Sequence, residues 1–379
     1  MRPVRITFVL PYAGLSGGVR VVATYARRLQ ERGHKVTAVS TRRAPKPWRQ
    51  KVRSLAKGDG WLRPAASMPS HFDDLDVPHH VIDCCRPISD ADVPDADVVI
   101  ATWWETAEWV NSLSSSKGAK VYLLQHYENW GGPVERVDAT WRMPMQKIVI
   151  SRWLEGLARD KFGDDGTVLV PNSVDTQQFH APPRGKQPVP TVGIMYSGIP
   201  FKGCDISLEA FRRAAAAIPN LRLLSFGASA PAPTMPLPAG TEYFVRPAQQ
   251  ELRNLYARCD AWLFGSRSEG FGLPILEAMA CRTPVIGAPT GAAPELLSSG
   301  GGILLDSTDP DAMANAIIEV ARVPNERWRA MSDEAHAVAT RYTWDDATDL
   351  FEKALEKAVA NRHGHASGYQ SQPLQAPVV

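Results

Sequence analysis

The sequence predicts two α/β domains, each built on a parallel β-sheet, and three observations support this. The chain has 379 residues, which is too long for one hydrophobic core of ordinary size and suits two domains. Short apolar, β-branched runs alternate with amphipathic segments of helical length, as in βαβ units whose sheet is buried on both faces. The alternation restarts after residues 178–190, a proline-rich stretch typical of a connector. We therefore expect domains at residues 1–178 and 179–343.

Six apolar runs predict the strands of the first domain, and five predict those of the second. The first set is Ile6–Leu10, Val36–Ser40, Val98–Thr102, Val121–Gln125, Ile148–Ser151 and Val168–Val170. The second set is Val192–Tyr196, Leu221–Phe226, Ala261–Phe264, Pro284–Ile286 and Ile303–Leu305. A final helix is predicted at about 344–361, because its apolar residues recur at near-helical spacing. Residues 363–379 are predicted to form a disordered tail.

The overall charge argues against partners that need a strongly charged surface. The 42 basic and 40 acidic side chains give a net charge of +2, so no nucleic-acid partner is expected. Five cysteines, an odd number without metal-ligand spacing, indicate reduced thiols in a cytoplasmic protein. The first apolar run is too short for a signal-peptide core, and no run of about 18 apolar residues predicts a membrane span.

One local segment departs from this charge balance. Residues 42–63 hold eight basic side chains against the single acid Asp59, and aromatic and leucine side chains are interleaved with them. Such a stretch can lie on anionic lipid at the inner face of a membrane or bind an acidic acceptor. A solvated basic loop explains the composition equally well, and the sequence leaves both interpretations open.

A glycine-rich turn containing Gly17 and Gly18 follows the first predicted strand and opens a helix. Such a turn lets a ligand approach the backbone and points free amides at it. The spacing is not that of a dinucleotide site, and no acid ends the second strand where a ribose would be held. A nicotinamide cofactor is therefore disfavoured, and a ligand contact and a purely structural tight turn both remain open.

The strongest local pattern lies between residues 266 and 280. It follows the predicted strand Ala261–Phe264, and Pro274 stands where the first residue of a helix would be, because its missing N–H costs nothing there. The loop before this proline should present amides at the N-terminus of the helix, where a diphosphate binds readily. The residues of this loop are Gly270, Phe271, Gly272 and Leu273.

Two acids accompany this loop. Glu269 lies beside the expected anion site, and Glu277 lies one turn into the helix, where its carboxylate can accept two hydrogen bonds from vicinal ribose hydroxyls. Taken singly, the first is explained as a capping acid and the second as an exposed helix charge. Their combination with the strand, the glycine loop and the proline favours a nucleotide site.

Three further polar residues follow predicted strands. Lys202 follows the first strand of the second domain, and His126 follows a buried strand of the first. Because ligands bind outside the carboxyl ends of such strands, both are expected at a crevice between the domains, where an ammonium would neutralise phosphate charge. A surface lysine and a structural histidine are the alternatives. Asn172, in the turn at 171–175, is consistent with either a structural turn or a donor contact.

Together these motifs resemble the retaining glycosyltransferases of the GT-B fold, specifically family 4, and the resemblance covers nearly the whole chain. In chain order the shared motifs are the glycine turn at 17–18, the Pro-Asn-Ser-Val-Asp turn at 171–175, the Phe-Lys-Gly segment at 201–203 and the Glu-to-Glu motif at 269–277. The resemblance implies two Rossmann-like domains with parallel sheets that face each other across a central crevice. The N-terminal domain would bind the acceptor, the C-terminal domain the nucleotide sugar, and the last helix would pack back on the first domain.

The resemblance also implies roles for individual residues. Glu277 would hold the donor ribose, Glu269 would lie against the donor sugar, and His126 would lie near the transferred sugar. Lys202 and the loop amides at 271–273 would bind the diphosphate. The predicted donor contacts further include Gly17, Gly18, Asn172, Ser197 and Gly270. Family members usually carry an arginine where this chain has Ser197, so diphosphate neutralisation must be weaker here or come from another residue.

The sequence thus predicts a retaining transferase that moves a sugar from a UDP-, GDP- or dTDP-linked donor. The acceptor hydroxyl would belong to a glycan, a lipid-linked molecule or a small molecule in bacterial glycan, glycolipid or glycosylated-metabolite synthesis. Residues 125–128 are similar to a subgroup that includes rhamnosyltransferases. No Asp-x-Asp motif follows a strand, so neither a metal nor another cofactor is expected.

Other interpretations remain open at this stage. A sugar-nucleotide epimerase of the same fold, or a non-catalytic sugar-nucleotide or glycan-binding protein, would share the nucleotide site, whereas a dehydrogenase is the least favoured class. Trp103, Trp104 and Trp109 lie near the end of a first-domain strand and are explained either as an aromatic platform for the acceptor or by core packing.

Overall fold

The computed structural model describes residues 2–42, 69–82 and 86–367. The strands are β1 Arg5–Leu10, β2 Lys35–Thr41, β3 His79–Ile82, β4 Val98–Ala101, β5 Ala119–Leu124, β6 Gln146–Val149, β7 Val168–Leu169, β8 Thr191–Tyr196, β9 Arg222–Gly227, β10 Glu242–Val245, β11 Ala261–Phe264, β12 Val285–Gly287 and β13 Gly302–Leu304. The helices are α1 Gly17–Glu31, α2 Trp104–Ser112, α3 Val134–Trp141, α4 Arg152–Phe162, α5 Cys204–Ala217, α6 Leu252–Ala257, α7 Leu273–Ala280, α8 Ala293–Leu297, α9 Pro310–Arg322, α10 Asn325–Thr340 and α11 Trp344–Ser367.

Two compact units divide the chain. The first consists of Met1–Val149, Leu157–Val168 and Thr348–Val379. The second consists of Ile150–Gly156 and Leu169–Ala347. These limits differ from those expected from the sequence. The second unit begins nine residues or more before the proline-rich connector, and it also takes in a short segment from the start of α4.

Each unit contains one parallel sheet, as the sequence predicts. The first sheet has the order β3-β2-β1-β4-β5-β6-β7, and the second has the order β10-β9-β8-β11-β12-β13. Neighbouring strands pair in parallel in both sheets; Ile6 of β1, for example, is in register with Val36 on one side and Val98 on the other. This order, in which the chain returns to the middle and then builds outwards in the other direction, defines the Rossmann-like doubly wound fold.

Burial explains why these runs form central strands. Strands β4 and β11 are buried at every position, and β1 is exposed only at its first residue. Two strands escaped the sequence analysis, β3 and β10. Both lie at the edge of their sheet and have exposed positions, so neither carries the continuous apolar run that marks a buried strand.

The terminal helix α11 packs on the rest of the first unit through both apolar and charged contacts. The ring of Phe351 stacks on Tyr25 of α1 with centroids 4.2 Å apart. The carboxylate of Glu352 lies 2.7 Å from Nε2 of His34 and also pairs with Arg32. The helix continues to Ser367, six residues past its expected end at 361, and so includes the start of the segment predicted to be disordered. Residues 368–379 lie outside the described part of the chain.

Within the described ranges, none of the helices combines the length and the apolar character needed to cross a membrane.

Candidate functional site

The order of the second sheet reverses between β8 and β11, the two central strands. The loops that leave their carboxyl ends run in opposite directions, and a ligand site forms at such a switch point in open α/β sheets. Lys202 lies in the loop after β8, and residues 265–272 form the loop after β11. The two segments singled out by the sequence are therefore the two loops that flank the switch point of the second unit.

The loop that carries Lys202 is packed tightly against the loop after β11. Lys202 ends a 3₁₀ turn, Pro200–Lys202, and Gly203 then adopts the left-handed conformation with φ +56° before α5 begins. A Cβ atom on Gly203 would lie 1.8 Å from the carbonyl oxygen of Gly265. Glycine is therefore required at this position both for its backbone conformation and for the close approach of the two loops.

Lys202 and Glu269 form an ion pair within this site. Nζ of Lys202 lies 2.8 Å and 2.9 Å from the two carboxylate oxygens of Glu269. The hydroxyl of Ser266 also donates to Oε1 of Glu269, at 2.9 Å. Glu269 is only 8% exposed, so it is not the solvated capping acid of the alternative interpretation. An anion that binds here meets an ammonium group whose position is already fixed by a carboxylate.

The loop that precedes α7 has the geometry expected of an anion site at a helix start. Gly272 caps the helix with φ +100°, and a Cβ atom there would lie 2.8 Å from the ring of Phe264. The helix begins at Leu273, so Pro274 occupies its second position rather than its first. The first helical hydrogen bond runs from the amide of Ile275 to the carbonyl of Gly272 at 2.9 Å, so the amides of residues 271–273 precede it and lie at the positive end of the helix dipole.

Two donors from the segment after β6 fix this loop from one side. The carbonyl oxygen of Gly270 accepts hydrogen bonds from Oγ of Ser151 at 2.7 Å and from Nε1 of Trp153 at 3.0 Å. Sequence analysis missed both residues, because nothing in a strand-end serine or a helical tryptophan marks a partner more than a hundred residues away. Their contacts explain why residues 150–156 belong to the second unit.

Glu277 is buried in the second turn of this site's helix. It is 5% exposed, which excludes the exposed helix charge of the alternative interpretation. The hydroxyl of Tyr256 donates to its Oε2 at 2.7 Å. Tyr256 is itself held by ring packing on Trp262, with centroids 4.5 Å apart. A buried carboxylate needs hydrogen-bond donors around it, and Tyr256, which the sequence analysis did not find, supplies one.

The remaining cation beside these loops is engaged elsewhere. Arg267 forms two hydrogen bonds with the carboxylate of Asp205, at 2.8 Å and 2.6 Å. The hydrogen bonds from Arg267 lower the pKa of the Asp205 carboxyl below its usual range. Ser197, where the family resemblance leads us to expect an arginine, is half-buried, and its Oγ accepts from the amide of Ile199 at 3.2 Å. Lys202 is therefore the cation that the described loops bring to this switch point.

Asn172 lies after β7 in the second unit and is nearly completely buried. Within the described part of the chain, its side-chain oxygen Oδ1 has no hydrogen-bond partner. The neighbouring Ser173 shows the structural side of this turn, because its Oγ donates to the carbonyl of Tyr342 at 2.7 Å. A buried acceptor without a donor is rare in folded proteins, which keeps a ligand contact at Asn172 as a prediction.

In the first unit, the glycine turn lies at the N-terminus of α1. Gly17 and Gly18 are the first two residues of the helix, and Ser16 caps it by accepting from the amide of Val19 at 3.4 Å. Nε2 of Gln125, at the end of β5, donates to the carbonyl of Gly18 at 3.2 Å. A Cβ atom on Gly18 would lie 3.4 Å from that side chain. The turn is therefore held next to the loop that carries His126.

His126 follows β5 and contacts an aromatic group. Its Nδ1 donates to the carbonyl of Tyr127 at 2.9 Å, so Nε2 is the unprotonated nitrogen of the neutral ring. Its ring meets Trp130 edge to face at 6.1 Å, and Trp130 meets Trp103 at 5.4 Å. Trp130 is 53% exposed, whereas Trp104 is buried in the core. Of the two alternatives for the tryptophans, core packing thus holds for Trp104.

Glu128 fixes the loop after β5 to the preceding βα unit. Its Oε2 accepts from the amide of Trp104, the first residue of α2, at 2.7 Å. The side chain is buried, and this burial raises the pKa of the Glu128 carboxyl well above its usual range. The residue therefore stabilises the loop that carries His126 rather than facing solvent.

Two predictions, the role of the basic stretch and the absence of a metal, can be examined only over the residues that the structure describes. Of the basic stretch 42–63, the structure describes only Arg42, so the choice between a lipid-binding and a solvated segment lies outside the described residues. Among the residues that are described, no group of three or more His, Cys, Asp or Glu side chains could hold a metal ion. Cys204, Cys259 and Cys281 are free and buried.

Comparison with known proteins identifies the class of domain first. Residues 188–322 match the family described as Glycosyl transferases group 1. This segment includes both loops at the switch point and all of α7. The motif resemblance found in the sequence is therefore confirmed for the second unit, which carries a glycosyl transferases group 1 domain.

Curated relatives match parts of the chain. The D-inositol 3-phosphate glycosyltransferase of Segniliparus rotundus is 33% identical over 162 residues, 40% of this chain and 36% of the relative. The GDP-mannose-dependent monoacylated alpha-(1-6)-phosphatidylinositol monomannoside mannosyltransferase of Corynebacterium glutamicum is 26% identical over 221 residues, 52% of this chain and 58% of the relative. The chain thus spans less than two thirds of the length of these relatives.

Solved structures extend the comparison to both units. HepE of Anabaena, solved in complex with UDP and glucose, has a TM-score of 0.67 at 16% sequence identity and covers 94% of this chain and 100% of that one. At this identity the likeness establishes the fold, which is GT-B, with two parallel-sheet α/β units as the sequence predicts.

Proposed function

We propose that this protein is a retaining glycosyltransferase that moves a sugar from a nucleoside-diphosphate donor to an acceptor hydroxyl without a metal ion. One observation carries the proposal. At the switch point of the second unit, two adjacent loops carry the Lys202–Glu269 pair and the glycine turn, and the helix α7 that follows carries the buried carboxylate of Glu277. The names of the relatives and the matched domain support the same class of reaction.

The anionic part of the donor would bind at the loop before α7. The amides of residues 271–273 lie at the positive end of the helix dipole, and Lys202 adds an ammonium group that Glu269 holds in place beside them. As the sugar leaves, negative charge grows on the phosphate oxygen that held it. Fixed donors aimed at this oxygen stabilise the transition state more than the bound substrate. Glu269, which orients Lys202, would lie against the sugar.

The ribose would bind at Glu277. One carboxylate oxygen accepts from Tyr256, which orients the group, and a carboxylate has enough lone pairs to accept from two vicinal hydroxyls as well. A hydroxyl pair on a carboxylate replaces part of the hydration lost on burial. Within the donor panel this arrangement would favour UDP and GDP over dTDP, whose deoxyribose lacks the vicinal pair.

The reaction would proceed on one face of the sugar. The acceptor oxygen forms a bond to the anomeric carbon, while the bond from that carbon to the donor phosphate breaks. The departing phosphate oxygen takes the proton of the acceptor hydroxyl, so no protein base is required and the anomeric configuration is retained. The resemblance alone implies a contact of His126 with the transferred sugar; its ring is oriented by a hydrogen bond from Nδ1 to the carbonyl of Tyr127 at 2.9 Å.

The first unit would bind the acceptor. The exposed ring of Trp130, supported by Trp103 and His126, offers an apolar face at the carboxyl ends of the strands. The named relatives act on inositol phosphate and phosphatidylinositol mannoside, which are ring-shaped polyols. We propose a glycan, a lipid-linked or a small polyol acceptor, with the enzyme in the cytoplasm and contact to the inner membrane face through residues 42–63.

A panel of UDP-, GDP- and dTDP-linked sugars, followed for release of nucleoside diphosphate with and without EDTA, tests the proposal. One donor should give release that EDTA leaves unchanged and that Glu277→Gln suppresses. Conversion of the donor sugar without release of nucleoside diphosphate would contradict a transferase. Loss of release in EDTA, restored by added Mg²⁺ or Mn²⁺, would contradict metal independence.

A further inference from the structure

A cavity of about 560 Å³ lies in the first unit, away from every loop assigned to the proposed reaction. It opens where β5 and β6 begin, at Ala119 and Gln146, and α11 forms its opposite wall with Lys357 and Ala358. Substrates of doubly wound sheets bind at the carboxyl ends of the strands. This cavity lies at the amino ends, so it is separate from the site of His126 on the same sheet.

The wall of the cavity is cationic. Four basic side chains, Lys120, Lys147, Lys357 and Arg362, line it together with a single acid, Asp164. That acid is already neutralised, because Nζ of Lys147 lies 2.7 Å from its Oδ2. Pairing with Lys147 overcomes the effect of burial and lowers the pKa of the Asp164 carboxyl. The other three cations form no ion pair at contact distance among the described residues, although Asp90 acts on Lys120 and Asp97 on Arg362 from further away.

These three cations are held in place by backbone carbonyl groups. Nζ of Lys120 donates to Asn111 at 2.6 Å, and Nζ of Lys357 donates to Gly166 at 3.1 Å. The guanidinium of Arg362 donates to Ser115 at 2.5 Å. A carbonyl orients a cation but does not neutralise it, and an ammonium keeps two further N–H donors. Burial lowers the pKa of Lys120, and the more distant carboxylate of Asp90 only partly opposes this effect.

We propose that this cavity binds a phosphorylated anion, such as a phosphate or diphosphate ester. Three preset cations from the sheet and from α11 converge on one space, and an anion there would accept charge-assisted hydrogen bonds from both walls. The volume is that of a small-molecule site rather than of a single ion. Because α11 supplies two of the cations, the bound anion also stabilises the packing of this helix on the first unit.

Titration of the full chain with inorganic pyrophosphate, by calorimetry and by the thermal midpoint, tests the proposal. Wild type should bind pyrophosphate and gain thermal stability, because the ligand binds the folded state. The double variant Lys120→Gln, Lys357→Gln should bind it at least about tenfold more weakly. Lys353→Gln removes one charge from the same helix at an exposed position outside the cavity and should leave binding unchanged.

A second variant separates this cavity from the proposed donor site, which also attracts diphosphate. Lys202→Gln should leave the cavity component of binding intact. The proposal is overturned if wild type does not bind pyrophosphate, if Lys353→Gln weakens binding as much as the double variant, or if Lys202→Gln alone abolishes binding.

Vesicles distinguish a lipid headgroup from a free phosphate ester as the source of the anion. Binding to vesicles that contain an anionic phospholipid, but not to phosphatidylcholine vesicles, and its loss in the double variant would assign the cavity to a headgroup. Pyrophosphate binding without vesicle binding would assign it to a soluble phosphate ester.

Discussion

Replacement of Glu277 by glutamine should separate ligand binding from folding at the proposed ribose site. The carboxylate is 5% exposed and accepts from Tyr256 at 2.7 Å. Glutamine has the same shape and keeps a carbonyl oxygen for that hydroxyl, so the free energy of unfolding should change little. The charge that would receive the ribose hydroxyls is lost. A hydrogen bond to a charged group contributes about 1.5–3 kcal/mol, so nucleoside-diphosphate affinity should fall by about 2–3 kcal/mol, or roughly 30- to 150-fold.

Tyr256→Phe is the matched control for this prediction. It keeps the carboxylate and the ring packing on Trp262 but removes one hydrogen bond to Glu277. This variant should lose about 2 kcal/mol of stability, since a buried charge loses a donor, while its affinity for nucleoside diphosphate changes much less than that of Glu277→Gln.

The assay is calorimetric titration of wild type and both variants with UDP, GDP and dTDP, together with thermal unfolding of each protein. The reasoning is refuted if Glu277→Gln binds the preferred nucleotide as tightly as wild type. It is also refuted if the two variants lose affinity equally, because Glu277 would then act only by holding Tyr256.

Three further results are expected. Gly203→Ala should lower the thermal midpoint strongly, because its Cβ would lie 1.8 Å from a carbonyl oxygen and the backbone has φ +56°. The control Gly198→Ala should not lower it, because no atom lies within 4 Å of its Cβ. Equal midpoints for the two variants would contradict the close packing of the two loops. Burial raises the pKa of Glu352, but hydrogen bonds from His34 and Arg32 outweigh this effect and lower it. The Glu352 carboxylate therefore stabilises the folded protein at pH values above the pKa of the unfolded chain, and this stabilisation is lost as the pH falls. The midpoint difference between wild type and Glu352→Gln should therefore shrink below about pH 4.5 and would contradict this account if it grew. Trp130→Ala should raise the KM for the acceptor about tenfold, as expected for the loss of about 1.4 kcal/mol of ring contact, and should leave kcat and the thermal midpoint unchanged. A change confined to kcat would contradict a role of this ring in acceptor binding.

The central strands could be predicted from sequence because burial on both faces leaves a continuous apolar run. Predicted β11, Ala261–Phe264, has the limits seen in the structure. The edge strands β3 and β10 could not be predicted in this way, since half of their positions face away from the core. The assignment of residues 150–156 to the second unit could not be predicted from composition either. It reflects contacts with a loop more than a hundred residues away, such as the hydrogen bonds of Ser151 and Trp153 with Gly270.

At the site, too, short sequence motifs could be recognised, whereas contacts between residues far apart in the chain could not. Glu269, Glu277 and Lys202 were predicted as site residues because each belongs to a short motif after a strand, and their roles stay predictions. The pairing of Lys202 with Glu269 joins residues 67 positions apart and depends on the neighbouring positions of β8 and β11 in the sheet. Tyr256 was missed because a helical tyrosine in a core segment carries no mark of the carboxylate it will contact.

Binding of a nucleoside diphosphate at the start of α7 is the central prediction for the second unit. A crystal structure of the protein with the nucleotide that binds most tightly tests this most directly. We expect diphosphate oxygens within hydrogen-bond distance of the amides at 271–273 and of Nζ of Lys202, with both ribose hydroxyls on the carboxylate of Glu277. A nucleotide bound at another place, with the loop before α7 unoccupied and Glu277 still paired only within the protein, would contradict the account.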